Sequence, residues 1–250
     1  MRNGLKALIW VSLFAFVLAD GWGMKGVSSS ASSHADPYII DDFSENAINT
    51  AKWTLINDQA GPDVFSQSRG FLKFSVTAGA GTLQSTQPCG PGFYTMQFYD
   101  YSSTNSEEPG SHKGAFVGLG LGQKDNFVRI IRCQNGQRRK GQISYDGVFE
   151  ANYIDNTKGG IRVFYERTEV SAGRLGLYYD GSKVTFYFNP NPDAETGWRR
   201  IKKESGRDVL EWEPHWTEPP SLFIRGFDPS GTTGFKVDNL EYRPNPPEAN

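Results

Sequence analysis

Residues 174–188 read RLGLYYDGSKVTFYF. Leu175, Leu177 and Tyr179 fall on one face of the first half, and Val184, Phe186 and Phe188 on one face of the second. Asp180-Gly181 sits between the two alternating runs, and such a pair tolerates the positive φ that a tight hairpin turn demands. The segment therefore reads as two antiparallel strands, each apolar on one side. A lone hairpin cannot bury that side, so more strands or a second layer must cover it.

The same pattern extends in both directions. Short alternating segments occupy residues 38–43, 53–57, 71–76, 81–86 and 93–101. Further ones lie at 115–121, 127–134, 142–145, 148–154, 161–168, 222–227 and 235–242. Asn135-Gly136 and Asp146-Gly147 read as further tight turns, and the prolines of residues 189–196 (NPNPDAET) mark a loop. Only 44–51 and 207–212 have room for a helical turn. About fourteen close-spaced strands without βαβ alternation define an all-β, antiparallel two-sheet β-sandwich or a barrel. Aromatics at 14% of the chain agree.

The chain start speaks to compartment. Arg2 and Lys6 precede the apolar run ALIWVSLFAFVLA (7–19), with Val17 and Ala19 placed for cleavage after Ala19. The run is ~13 residues, short of the ~20 that span a bilayer. Residues 1–19 are thus expected to be a signal peptide, the other reading being an uncleaved anchor, and 20–36 a Gly/Ser-rich leader. Residues 37–243 form one domain and 244–250 a Pro-rich tail. The product is expected to be secreted (extracellular, periplasmic or cell-surface) and monomeric, with no membrane span after cleavage. A formal charge of −2 with scattered Lys and Arg excludes a nucleic-acid footprint. Cys89 and Cys133 either pair, closing a loop of ~44 residues worth up to about 4 kcal/mol, or stay as two buried thiols.

Both ends of the domain carry short motifs. Asp41-Asp42-Phe43-Ser44, then Ala51-Lys52-Trp53 and Gly70-Phe71-Leu72, open it; 177–188, Trp198 and Phe235-Lys236-Val237-Asp238-Asn239-Leu240 close it. This set resembles the concanavalin A-like lectin and glucanase superfamily, which includes laminin-G-like jelly rolls. The resemblance implies a two-sheet jelly roll with first and last strands side by side. It also implies a structural Ca²⁺ held by Asp42, or Asp41, with Asp238 through hard oxygen ligands.

Relatives of that fold include glycoside hydrolases, which need two facing carboxylates. On a strand these read as acids at alternate positions, such as E-x-D-x-x-E, and no strand here has that form. Glu211-Trp212-Glu213 has the spacing but lies in a loop. The lyase strand motifs, a nucleophile elbow and a phosphate loop are likewise missing from the sequence. Sugar binding instead calls for flat rings and planar polar groups. Trp212, His215 and Trp216, near Trp198, supply one such set; the same rings could equally cover an end of the sandwich. Gln97, Tyr99, Arg132, Glu166 and Arg225 supply a second if their strand faces coincide. The expected function is carbohydrate binding without catalysis, the ligand being an extracellular poly- or oligosaccharide. Two rivals stand beside it: a glycoside hydrolase or polysaccharide lyase, and a structural or adhesion domain that binds protein.

Overall fold

The computed structural model describes residues 38–58, 64–104, 114–123, 126–139, 142–155, 161–203 and 205–250. Every regular element among them is a strand. In chain order these are β1 (Tyr38–Asp41), β2 (Trp53–Asp58), β3 (Phe65–Ser68), β4 (Phe71–Pro88), β5 (Gly92–Ser103), β6 (Ala115–Gln123) and β7 (Asn126–Arg139). There follow β8 (Gln142–Ile154), β9 (Ile161–Arg167), β10 (Gly173–Tyr179), β11 (Val184–Asn189), β12 (Arg199–Arg200), β13 (Glu211–Trp212) and β14 (Ser221–Arg243).

Two long strands organise the rest. β4 has 18 residues and β14 has 23, and they pair antiparallel along most of their length. Their ladder is interrupted between Asp228 and Thr232, and the ribbon enters a different sheet on each side of that break. The carboxylate of Asp228, fully buried, holds the bend. It accepts from Thr233 Oγ1 (2.7 Å), Ser103 Oγ (3.2 Å) and the amides of Ser230 (3.1 Å) and Gly231 (2.7 Å). Those donors offset the desolvation of a buried charge.

After the bend, β14 pairs with β5, and the first sheet continues through β10 and β11 to β12. Before it, β14 pairs with β6, and the second sheet continues through β7 and β8 to β9. β1 lies on the end of β14, with Tyr38 opposite Tyr242, so first and last strands are neighbours as expected. The inner faces share one core. Val117, Leu119, Val128, Ile130, Phe149 and Ala151 of the second sheet pack with Met96, Phe98, Leu175, Leu177, Phe186 and Phe188 of the first. Phe149 spans the layers, stacked on Phe188 at 4.5 Å and edge-on to Phe98 at 6.4 Å. The architecture is an antiparallel two-sheet sandwich.

Some local expectations give way. Asn135-Gly136 and Asp146-Gly147 are not turns: Asn135 pairs Asp146, Gly136 pairs Tyr145, and the ladder runs on to Arg139 and Gln142. Residues 140–141, between those two strands, lie outside the described ones. Gly147 serves close approach instead, since a Cβ there would lie 2.3 Å from the Arg132 guanidinium and 2.4 Å from the Thr168 carbonyl. Segments 71–76 and 81–86 merge into β4, and 222–227 and 235–242 into β14. Neither 44–51 nor 207–212 is helical. Residues 244–250 lie beside β12, where the Asn250 amide donates to the Trp198 carbonyl (3.2 Å).

Candidate functional site

Strand parity sets what the second sheet shows on its outer side. With Val128 and Ile130 in the core, Arg129 and Ile131 of β7 must point out. Registers then align two rungs across the sheet. One runs Gln84, Phe223, Gly120, Arg129, Asn152; the next runs Thr82, Arg225, Gly118, Ile131, Glu150. A third holds Phe227, Phe116, Cys133, Val148 and Arg167.

This outer face is recessed. Glu150 is 7% exposed and Asn152 5%, and Phe116, Ile131, Cys133 and Val148 form a separate buried cluster. The middle of β6 has glycines because nothing larger fits. A Cβ on Gly120 would lie 2.0 Å from the Phe223 ring, and one on Gly118 would lie 2.7 Å from Ile131. Phe223 therefore floors a trough along β6. Arg225 rises on the β14 side, where Nη1 donates to Thr82 Oγ1 (3.2 Å). Arg129 rises on the β7 side, its guanidinium over Phe116 (4.4 Å to the centroid) and Phe127 (5.4 Å). Asn152 Nδ2 lies 3.4 Å from Glu150 Oε1, while Asn152 Oδ1 and Arg129 Nε have no hydrogen-bond partner. Burial, then the like charge of Arg225, brings the Arg129 guanidinium down to about 10, with Glu150 opposing.

The anticipated sugar-binding residues do not converge. Trp198 is 1% exposed, edge-on to Phe93 at 5.2 Å, and grouped with Tyr187 beneath Ala249, so its ring offers no face to a ligand. Trp212 stacks on Tyr153 at 3.6 Å, and Trp216 meets Tyr179 edge-on at 5.3 Å while Nε1 donates to the Asn126 carbonyl (2.9 Å). Both are partly buried against the main core at the end where β13 pairs with β11, and Trp216 with Tyr179 also lines a cleft closed by Cys89, Pro91 and Glu218. His215 lies beside them, Nδ1 3.5 Å from the buried Asp155.

The sheet-face set divides three ways. Gln97 and Tyr99 lie on the outer face of the first sheet, where Gln97 Oε1 accepts from Tyr99 (3.2 Å) and Asn239 (3.1 Å). Burial, then Asp193, pushes the Tyr99 hydroxyl up to about 12. Tyr101 leaves their face at a register shift in the β5–β14 pairing and becomes core, donating to the Ala115 carbonyl (2.6 Å). Arg132 faces inward, donating to the carbonyls of Val170 (2.8 Å) and Cys133 (2.6 Å). Glu166 meets Arg199 at 3.0 Å, joining the edges of the two sheets. Only Arg225 lies in the trough.

Arg129, Glu150 and Asn152 were missed. Arg129 and Arg132 are three apart, so parity puts them on opposite faces; the apolar look of Ile131 and Cys133 made Arg132 seem the outward one. Glu150-Ala-Asn-Tyr-Ile-Asp155 is the nearest approach to E-x-D-x-x-E, with an amide in the middle. Glu150 and Asn152 do share a face, whereas Asp155, beyond the strand end, lies against His215.

No protein-family model and no curated protein matches the sequence. Solved structures do match in shape. LamA from Z. galactanivorans, in complex with laminaritriose and laminaritetraose, aligns at TM-score 0.52 and 10% identity, over 84% of this chain and 100% of that one. A Bacillus licheniformis β-glucanase aligns at 0.50 and 11%, over 82% and 97%. A glycosyl hydrolase family protein from Mycobacterium fortuitum aligns at 0.50 and 13%, over 84% and 99%. The fold is the concanavalin A-like jelly roll.

Within this jelly roll the acids proposed for Ca²⁺ have other partners. Asp41 accepts from Trp53 Nε1 (2.7 Å) and the Phe43 amide (2.9 Å). Asp42 accepts from the Ser44 amide (3.0 Å), which holds its carboxyl below the usual range. Burial pushes the Asp238 carboxyl up, and the charge of Asp42 adds to this against a bond from the Asn239 amide. Among the described residues no three His, Cys, Asp or Glu side chains group as metal ligands. Cys89 and Cys133 are both free thiols, Cys133 buried and Cys89 half-buried, so of the two readings the unpaired one describes this structure. Cys133 belongs to the outer-face cluster of the second sheet, whereas Cys89 packs against the main core.

Proposed function

We propose that the protein is a secreted, non-catalytic carbohydrate-binding jelly roll that holds an extracellular poly- or oligosaccharide along the outer face of its second sheet. The observation that carries this reading is the trough itself: planar polar side chains (Arg129, Asn152, Glu150, Arg225) standing among the rings of Phe116, Phe127 and Phe223 on a recessed face. Rings cover the apolar side of a pyranose and planar groups satisfy its hydroxyls. The similar folds of LamA, in complex with laminaritriose and laminaritetraose, and of a β-glucanase support the ligand class.

A glycoside hydrolase is the second reading, favoured by those same neighbours. It needs two carboxyl groups, ~5–5.5 Å apart if retaining and ~6.5–9.5 Å if inverting. Among the described side chains of the trough Glu150 is the one carboxylate, which favours binding. The test is a polysaccharide array probed with the purified domain, with and without calcium, following reducing-sugar and unsaturated-product release in the same wells. Retention without product supports the binding reading; product release replaces it with the hydrolase or lyase, and neither signal moves the assignment to a structural or adhesion role.

A further inference from the structure

The cleft beside Trp216 shares no residue with the trough, and its chemistry is different. It lies where the β4–β5 connection, the end of β10 and the segment leading into β14 meet, and its volume is about 350 Å³, the size of a small-molecule site. Trp216 and Tyr179 wall it, their rings half-buried and inclined at 72° to each other. Pro91, Pro219 and Pro220 complete the apolar lining.

This wall has few hydrogen-bond donors left. Trp216 Nε1 is spent on the Asn126 carbonyl (2.9 Å) and the Tyr179 hydroxyl on the Gly181 carbonyl (2.9 Å). The Cys89 amide is spent on the Pro220 carbonyl (2.6 Å), and the three prolines have no N–H. Acceptors are in better supply. The Gly90 carbonyl takes a bond from the Tyr94 hydroxyl (2.7 Å) and the Pro91 carbonyl one from Tyr242 (3.1 Å), and each keeps a second lone pair. Glu218 is exposed, has no basic partner among the described residues, and is the one charged residue of the lining.

A lining of ring faces, acceptors and one carboxylate repels an anion. It also serves a sugar poorly, because the ring and hydroxyl oxygens of a sugar need donors. We infer that the cleft binds an organic cation, an N-alkylated ammonium group with its methyls against Trp216, Tyr179 and the prolines. Ring faces attract such a charge, and Glu218 supplies the counter-ion. A primary ammonium is a compact, strongly hydrated charge that these apolar walls cannot resolvate, whereas an alkylated one carries its own apolar surface. The inference does not draw on the carbohydrate reading of the trough.

The experiment titrates the purified protein by calorimetry with choline, phosphocholine and the neutral isostere of choline, in which a tert-butyl group replaces trimethylammonium. Choline or phosphocholine should bind more tightly than the isostere by about tenfold; those two arms distinguish a free cation from an esterified headgroup. Glu218→Gln should weaken the cation several-fold. Glu248→Gln, the same charge change at an exposed site outside the cleft, should leave it unchanged. Trp216→Leu should weaken it further, and thermal melts check each fold. Trp216 also packs against the core, so the exposed Glu218 carries the test if that variant does not fold. An isostere bound as tightly as choline would overturn the cation assignment. Unchanged affinity in Glu218→Gln, or equal losses in Glu218→Gln and Glu248→Gln, would overturn the assignment to this cleft. Binding of none of the three would overturn the inference outright and leave the glycan reading of the trough untouched.

Discussion

On the first sheet the outward Arg174 and Arg243 end on carboxylates. Arg174 Nη1 lies 2.9 Å from Glu195 Oε1, Arg243 bonds Glu195 as well, and Glu241 stands beside it. The 190–197 loop folds over this face, with Arg174 Nε donating to the Pro192 carbonyl (2.6 Å). On the second sheet Arg129 and Arg225 flank a trough, Arg129 over the rings of Phe116 and Phe127 and Arg225 bonded to Thr82. Both faces are built from the same alternation on the two sides of one bent ribbon. One is covered by a loop that its arginines hold down, whereas the other sets its guanidinium groups among aromatic rings.

The largest effect should come from Trp198→Ala on the closed face. Removing this buried indole should cost about 3–5 kcal/mol in urea unfolding, while the folded fraction keeps its glycan affinity. Lost affinity at unchanged stability would break the distinction between the faces. Gly120→Ala tests the open face: its new methyl collides with Phe223, so a loss of about 1–3 kcal/mol should come with weakened glycan binding. A loss of stability alone would show that the trough floor is not a contact surface. Trp212→Ala removes the stack on Tyr153, worth about 0.5–1.5 kcal/mol beyond its area. It should lower the melting temperature and leave glycan affinity alone.

A smaller, pH-dependent effect separates the faces further. Burial works to raise the Glu195 carboxyl, but Arg243 and Arg174 outweigh it and hold the group below its ordinary 4.5. Its folded value being depressed, the stability it lends is complete above about 4.5 and fades as pH falls through the folded value. Hydrogen exchange should show the 190–197 loop and β10 loosening between pH 5 and 3, ahead of β6 and β7. Simultaneous loosening of all four would mean that the acid latch does not act locally.

The strand framework was legible in the sequence because alternation and Asp180-Gly181 are local signals that the tertiary structure reinforces. Asn135-Gly136 misled because a local turn preference yields to continued pairing along β7 and β8. The side-chain site was far less readable. Alternation says that Arg129 and Arg132 oppose each other but not which one faces the core, and that depends on the partner layer. Trp198 misled for a related reason: its ring became a packed member of the cluster with Phe93 and Tyr187.

The bend held by Asp228 has a consequence for how the molecule is made. β14 contributes to both sheets, and it separates β5 from β6 in the pairing order. Until residue 243 has left the ribosome, each sheet lacks its central strand, and β5 and β6 have no shared partner to align them. The nascent chain must then remain open through nearly all of its synthesis and close late, in one cooperative step. A truncation before residue 221 should give no folded half, only a protease-sensitive chain.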